Sequence, residues 1–189
     1  MKFTPADPFT PLTVPWRYSR TAIVLHWLLA LLITLTTAIG WRMMFIEHEP
    51  GAETFFDLHK SIGLIIATLV VARLLWRLTH RPEPLPAGPM WSARLAAISH
   101  ALLYLLMVAL PITGYLGASY SKAGVKWFGL ATPQWALPDH DRAEQFFGIH
   151  EVLVWSLVAL VVLHVLGALK HLLVDRDGLF HRMWFAPRR

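Results

Sequence analysis

His150 and His164 lie fourteen residues apart in one long apolar run of this sequence. Fourteen residues is nearly four helical turns, so on an α-helix the two imidazoles share a face, about 21 Å apart. Four more histidines, His26, His59, His100 and His171, lie in or at the edges of apolar runs. An ionisable side chain in such a run is expensive and is a functional candidate by default. Neutral imidazole is the commonest metal ligand among side chains and a frequent axial ligand of haem iron. The chemistry to test is therefore ligation of a redox metal inside an apolar element.

The elements that must position these residues are four apolar runs. They read AIVLHWLLALLITLTTAIGW, LHKSIGLIIATLVVARLLWRL, AISHALLYLLMVALPITGYLGAS and FFGIHEVLVWSLVALVVLHVLGALKHLLV. Each is long enough to cross a hydrocarbon layer of about 30 Å as a helix. The expected fold is an all-α integral membrane protein, a four-transmembrane-helix bundle with haem in its core. Its spans fall at about 21–45, 56–78, 95–119 and 146–174. Residues 1–20 form an N-terminal extension, 21–175 the transmembrane dihaem domain and 176–189 a basic tail. The fourth span is longer than a bilayer needs, so its end should protrude or the helix should tilt. Pro111 should kink the third span or mark a weak turn. Residues 81–89 are a Pro-rich link, and 120–145 form the longest loop.

Composition fits this reading. Apolar residues make up 56% of the chain and charged residues 15%, and those charges sit between the runs. Nine Trp are present, and Trp16, Trp27, Trp41, Trp91, Trp127 and Trp184 lie near run ends, where an interfacial belt would put them. The absence of Cys excludes disulfides, c-type haem attachment, iron–sulfur clusters and a thiol nucleophile. The excess of basic residues flanks the spans, which explains it without nucleic acid. Residues 1–20 carry Pro5, Pro8, Pro11 and Pro15 and no apolar core, so the first span is expected to act as its own insertion signal.

Lys and Arg set the expected orientation. One side holds Lys2, Arg17, Arg20, Arg77, Arg81, Arg94, Arg176, Arg182, Arg188 and Arg189. The other holds Arg42, Lys60, Lys122, Lys126 and Arg142 among many carboxylates. Both termini should thus be cytoplasmic in a multi-pass protein of a bacterial inner membrane.

Depth then sorts the histidines. His59 and His150 fall at one level, near the outer surface. His26 and His164 fall at another, near the inner surface. Two pairs between facing helices would hold two bis-His haems stacked across the membrane. Structural zinc wants four ligands close together, and the two pairs are too far apart to pool. His100 lies at the depth of the inner pair. It could replace a ligand, act as a donor behind one or meet a haem propionate, and a non-ligand role is favoured. His171 follows His164 by seven residues, nearly on the same face. It could bind a quinone oxygen or relay a proton, or simply meet water at the interface. His48, His80, His140 and His181 read as loop residues. Gly40, Gly63, Gly114, Gly117 and Gly167 could leave room for a macrocycle or allow close helix packing. Arg73 and Arg77 could neutralise propionates, with snorkelling favoured for Arg77.

These stretches, together with RYSRTAIVLHWL, DLHKSIGL and GIHEVLVW, resemble the bacterial cytochrome b561 family. The resemblance covers the chain from Tyr18 to about His181. It implies inner haem ligands at His26 and His164 and outer ligands at His59 and His150. It further implies electron transfer from superoxide, at the outer face, through two haem b groups to ubiquinone. His171 matches the position of the quinone site, although the pair here reads Lys170-His171 where a relative has adjacent histidines. The extension up to about Trp16 has no counterpart there. Lys60, beside His59, is a candidate for superoxide capture, aided by Arg42, Lys122 and Lys126. The implied partners are the quinone pool, superoxide and membrane lipid. A rival reading is an electron-carrier subunit that links a partner dehydrogenase or hydrogenase to quinone, docked at the aromatic loop around Trp127 to Trp135. A channel would need polar residues along a pore, and here they cluster at two depths.

Overall fold

The computed structural model describes residues 17–80 and 90–185. The Pro-rich link at 81–89, Trp16 with the extension before it and residues 186–189 lie outside the described residues, as do Lys2, Arg81, Arg188 and Arg189.

Four helices long and apolar enough to cross a membrane form the chain: α1 (Arg20–Ile46), α2 (Ala52–Thr79), α3 (Met90–Tyr120) and α4 (His140–Lys170). Their starts are set by local chemistry. The Ser19 hydroxyl accepts the Ala22 N–H at 3.3 Å and caps α1. Gly51, at φ 87°, turns the chain into α2 with a backbone that other residues adopt only under strain. Asp139 caps α4 by accepting the Arg142 N–H at 3.1 Å. That cap explains why α4 starts six residues before the expected 146: its first turns are polar, and hydropathy does not register them. His140, expected in a loop, is the first residue of this helix.

α3 runs through Pro111 as one helix. Pro111 has no N–H to offer the Met107 carbonyl, the loss that a mid-helix proline always brings. α4 continues past Lys170 as a π-helical turn, His171–Asp175, and ends at Arg176 with φ 51°. A 3-10 turn, Phe180–Met183, then carries the chain back to α1. There the Trp27 indole donates to the Met183 carbonyl at 2.8 Å, and the Tyr18 N–H donates to the Arg182 carbonyl at 3.3 Å. Both ends of the described chain therefore meet at one end of the bundle.

α1 pairs most closely with α2 and α3 with α4, and α2 joins the two hairpins through α3. The buried core is thin. Leu29, Ile39, Ile62, Ile66 and Val70 pack together, with Met107 and Val108 against them. Leu31, Leu75, Leu105 and Leu163 are each more than half exposed on the outside of the bundle. A soluble domain would bury such residues; in lipid an apolar exterior is the favourable one.

The loop between α3 and α4 contains a hairpin, β1 (Lys126–Trp127) antiparallel to β2 (Leu130–Ala131). Phe128 and Gly129 make its turn with φ of 48° and 83°, the left-handed pair that a two-residue hairpin requires. The hairpin is docked on α2. The Phe128 N–H donates to the buried Ser61 hydroxyl at 2.7 Å, and Lys60 Nζ donates to the Gly124 carbonyl at 3.1 Å.

Candidate functional site

Each hairpin contributes histidines to the space between the two. His59 of α2 faces His150 of α4, with ring centroids 6.2 Å apart. His26 of α1 faces His164 of α4, with centroids 6.3 Å apart. Two imidazoles that grip one metal ion from opposite sides put their centroids about 6.2 Å apart, from metal–nitrogen bonds of about 2.0 Å and about 1.1 Å more within each ring. Both pairs are spaced to hold an ion between them.

The outer pair is held in a specific orientation. His59 Nδ1 lies 3.0 Å from the Thr36 carbonyl, and His150 Nδ1 lies 3.0 Å from the Leu110 carbonyl. A carbonyl accepts only, so each Nδ1 carries the proton and each Nε2 is left with a free lone pair. The Thr36 and Thr113 hydroxyls stand beside the same nitrogens, at 3.3 and 3.2 Å. A glycine then admits each ring. A Cβ on Gly40 would lie 3.0 Å from His59 Cε1, and one on Gly114 would lie 3.1 Å from His150 Cε1.

A cleft opens between the helices at this level. It is lined by Ile33, Thr36 and Thr37 from α1; His59, Gly63 and Ile66 from α2; Met107, Leu110 and Pro111 from α3; and His150 and Leu157 from α4. A Cβ on Gly63 would meet nothing within 4 Å, so this glycine leaves space open beside His59. An apolar slot with two facing imidazoles has the chemistry that a haem requires.

The inner pair is built differently. Arg73 Nη1 takes the Ala22 carbonyl at 3.0 Å, and Nη2 lies 3.4 Å from His26 Nδ1. Arg73 Nε donates to the Tyr104 hydroxyl at 3.1 Å. This arginine thus fixes His26 through its neighbours on α1 and α3. His100 is exposed on α3, with its ring 5.4 Å from that of His164. It borders His164 of that pair.

Two further candidates are engaged with their surroundings. Lys60 lies 3.3 Å from Asp57 Oδ1, and Lys126 lies 3.4 Å from Asp57 Oδ2, so one carboxylate is shared by two ammonium groups beside His59. His171 Nδ1 donates to Asp177 Oδ2 at 2.7 Å and lies 3.2 Å from Asp175 Oδ2. Asp177 was not legible as a partner of His171 in the sequence; its place two residues past the helical run was the available signal. Gly40 and Gly114 were legible only as small residues, because their partners lie on other helices.

A membrane-embedded helical bundle with facing histidines at two levels is the design of a b-type cytochrome. The comparisons agree. Residues 17–186 match the family described as Prokaryotic cytochrome b561, and the chain belongs to that family. It is 34% identical to Cytochrome b561 homolog 2 of Escherichia coli (strain K12), over 89% of this chain and 92% of that one. It is 28% identical to Cytochrome b561 homolog 1 of the same organism, over 92% and 98%. It is 30% identical to Probable superoxide oxidase CybB of Yersinia pestis, over 88% and 95%. The chain is accordingly a multi-pass bacterial membrane protein of an electron-transfer family that binds haem b.

Proposed function

We propose that this chain is a dihaem b cytochrome that carries electrons across the bacterial inner membrane, from superoxide at the outer face to ubiquinone near the cytoplasmic face. The observation that carries this reading is the pair of histidine pairs. Their rings stand 6.2 and 6.3 Å apart, and His150 and His164 lie fourteen residues apart on one helix. His59 and His150 would hold the outer haem, and His26 and His164 the inner one. Bound haem supplies reversible one-electron chemistry at its iron. The chain's part is to fix ring orientation, exclude water with apolar helix faces and set the two sites about 21 Å apart along α4.

At the outer end, Lys60 and Lys126 share Asp57 and leave a local positive excess beside His59, which favours approach of a small anion. Two superoxide ions would leave as two molecules of oxygen, and their two electrons with two protons would convert one ubiquinone to its quinol. Those protons are taken at the inner end, where His171 opens the π-helical turn that follows α4, with its Nδ1 held by Asp177. The basic bias at the end where both termini meet supports a cytoplasmic position for that end. The name of the Yersinia pestis relative supports the choice of superoxide as donor. Residues 21–175 would form the dihaem domain, with 1–20 and 176–189 as cytoplasmic extensions.

The test is a reduced-minus-oxidised spectrum of the purified protein with haem counted per chain, followed by superoxide-driven ubiquinone reduction. Two low-spin b haems and quinol formation by the isolated chain are expected. A single haem per chain would remove the transmembrane path. A second reading, a carrier subunit for a partner dehydrogenase or hydrogenase, is favoured by one feature. Trp127, Phe128, Leu130, Trp135 and Leu137 are all exposed on the outer loop. A second subunit that co-purifies, with no superoxide-driven haem reduction in its absence, would select that reading.

A further inference from the structure

A second, shallow cavity lies at the end of the bundle where the described chain ends meet. Tyr18, Arg73, Trp76, Arg77, His80 and Tyr104 contribute to its wall. The two arginines are one turn apart on α2 and both stack over the Tyr104 ring, at 6.0 and 5.7 Å. Their states differ. Arg73 donates to Tyr104 and Ala22, and its Nη2 lies 3.4 Å from His26 Nδ1. Arg77 has no hydrogen bond to any described residue beyond its contact with the Tyr104 face, and no described carboxylate pairs with either guanidinium.

The Trp76 indole donates to the Ser19 hydroxyl at 3.1 Å and stacks on the His80 ring at 3.8 Å and 4°. His80 Nδ1 lies 2.9 Å from the Thr79 hydroxyl, whose own proton is directed to the Leu75 or Trp76 carbonyl. The cavity thus offers a stacked aromatic pair and a guanidinium with no hydrogen bond to a described residue. It sits where α2 ends, three residues beyond Arg77 at His80. That is the depth at which arginines reach lipid headgroups. Two positive charges with no carboxylate beside them among the described residues favour an anion. Guanidinium geometry favours paired anionic oxygens, as in phosphate.

We propose that this cavity binds the phosphate of an anionic phospholipid headgroup, with Arg77 as the principal contact and His80 and Tyr18 at its rim. A free phosphate ion shares that chemistry, and a propionate of the inner haem would compete for the same arginine. The proposal does not depend on which donor or acceptor the cytochrome uses.

The test uses the haem-loaded full chain in detergent, examined by native mass spectrometry with added phosphatidylglycerol, phosphatidylcholine or inorganic phosphate. A single phosphatidylglycerol should stay bound under conditions that strip phosphatidylcholine. Arg77→Ala should weaken that binding by about tenfold or more, the loss expected for hydrogen bonds to a charged group. Arg94→Ala, at an exposed position on α3, should leave it unchanged. Unaltered haem spectra would show that the variants fold. Equal retention of both lipids, or full retention in Arg77→Ala, overturns the proposal. Displacement by millimolar inorganic phosphate assigns the cavity to the free ion and overturns the lipid source. A shifted inner-haem spectrum in Arg77→Ala with lipid binding intact assigns Arg77 to a propionate and also overturns it. Should Arg77→Ala not fold, the comparison of the two lipids on the unaltered protein still decides.

Discussion

The His150 ring lies against Gly114 of the neighbouring helix, so closely that a Cβ at that position would come within 3.1 Å of Cε1 and 3.2 Å of Nδ1. The Leu110 carbonyl one turn earlier takes the Nδ1 proton. α2 repeats the arrangement against α1, with His59, Gly40 and the Thr36 carbonyl. Each outer histidine is therefore seated by a carbonyl and a glycine four residues later on one helix face.

The seat makes a first prediction. Gly114→Ala asks the ring to move by a few tenths of an ångström and should shift the outer-haem spectrum while haem is retained. Gly40→Val with Gly114→Val asks for more than the ring can give, and about half of the bound haem should be lost. Gly117→Ala is the contrast. Its Cβ would fall 2.6 Å from the Phe147 ring, away from any histidine. It should destabilise α3 against α4 by about 1–3 kcal/mol through overpacking and leave the spectrum unchanged. Haem per chain, difference spectra and thermal unfolding separate the three cases.

The facing pairs make a second. His164→Ala or His26→Ala should remove the inner haem and keep the outer one, and His59→Ala or His150→Ala should do the reverse. His100→Ala should retain both, with at most a changed inner potential, because its ring borders His164 from an exposed position. Redox titration with haem quantification reads each outcome. Loss of a haem in His100→Ala would make His100 a ligand and reopen the inner pairing.

The spans and the matched depths were legible because lipid leaves few alternatives: a crossing helix needs a continuous apolar run, and helical rise converts residue number into depth. Helix ends were less legible. Hydropathy sees apolar residues, and α4 begins with His140, Asp141 and Arg142, held by the Asp139 cap. The hairpin at Phe128 and Gly129 lacks the Asn-Gly or Asp-Gly pair that announces such turns, and its anchor on Ser61 comes from a residue 67 positions away. Depth also put His100 level with the inner pair without telling its direction. Direction around a helix depends on which neighbour packs where, which one sequence does not specify.

The shared carboxylate at the outer end makes a third. Asp57 neutralises part of Lys60 and Lys126. Asp57→Asn should leave both ammonium groups uncompensated and raise the superoxide rate by about twofold to tenfold at low salt, an advantage that shrinks as ionic strength rises. Lys60→Ala should lower the rate and flatten the salt dependence. It also removes the tie to the Gly124 carbonyl, so the haem spectrum must be checked for a displaced hairpin. Stopped-flow haem reduction across a salt series tests both. A rate unaffected by either change would place anion capture elsewhere on the outer face.

The last prediction concerns the other end of the path. His171 Nδ1 donates to Asp177 Oδ2, and Asp177 Oδ1 accepts the Leu179 N–H at 3.0 Å. The carboxylate therefore links the imidazole to the segment that leads back to Met183 and Trp27. If His171 serves quinone, its replacement should leave reduction of the haems by superoxide intact and slow their reoxidation. His171→Ala should slow it on the order of a hundredfold, the scale of a lost proton donor. Asp177→Asn keeps the ring but removes the charge that orders it, and about tenfold is expected, as for an orienting partner one bond removed. Separate timing of the two half-reactions gives the answer. Equal slowing of both would point to a general disturbance of the helix end, and slowing of reoxidation alone would assign His171 and Asp177 to the acceptor side.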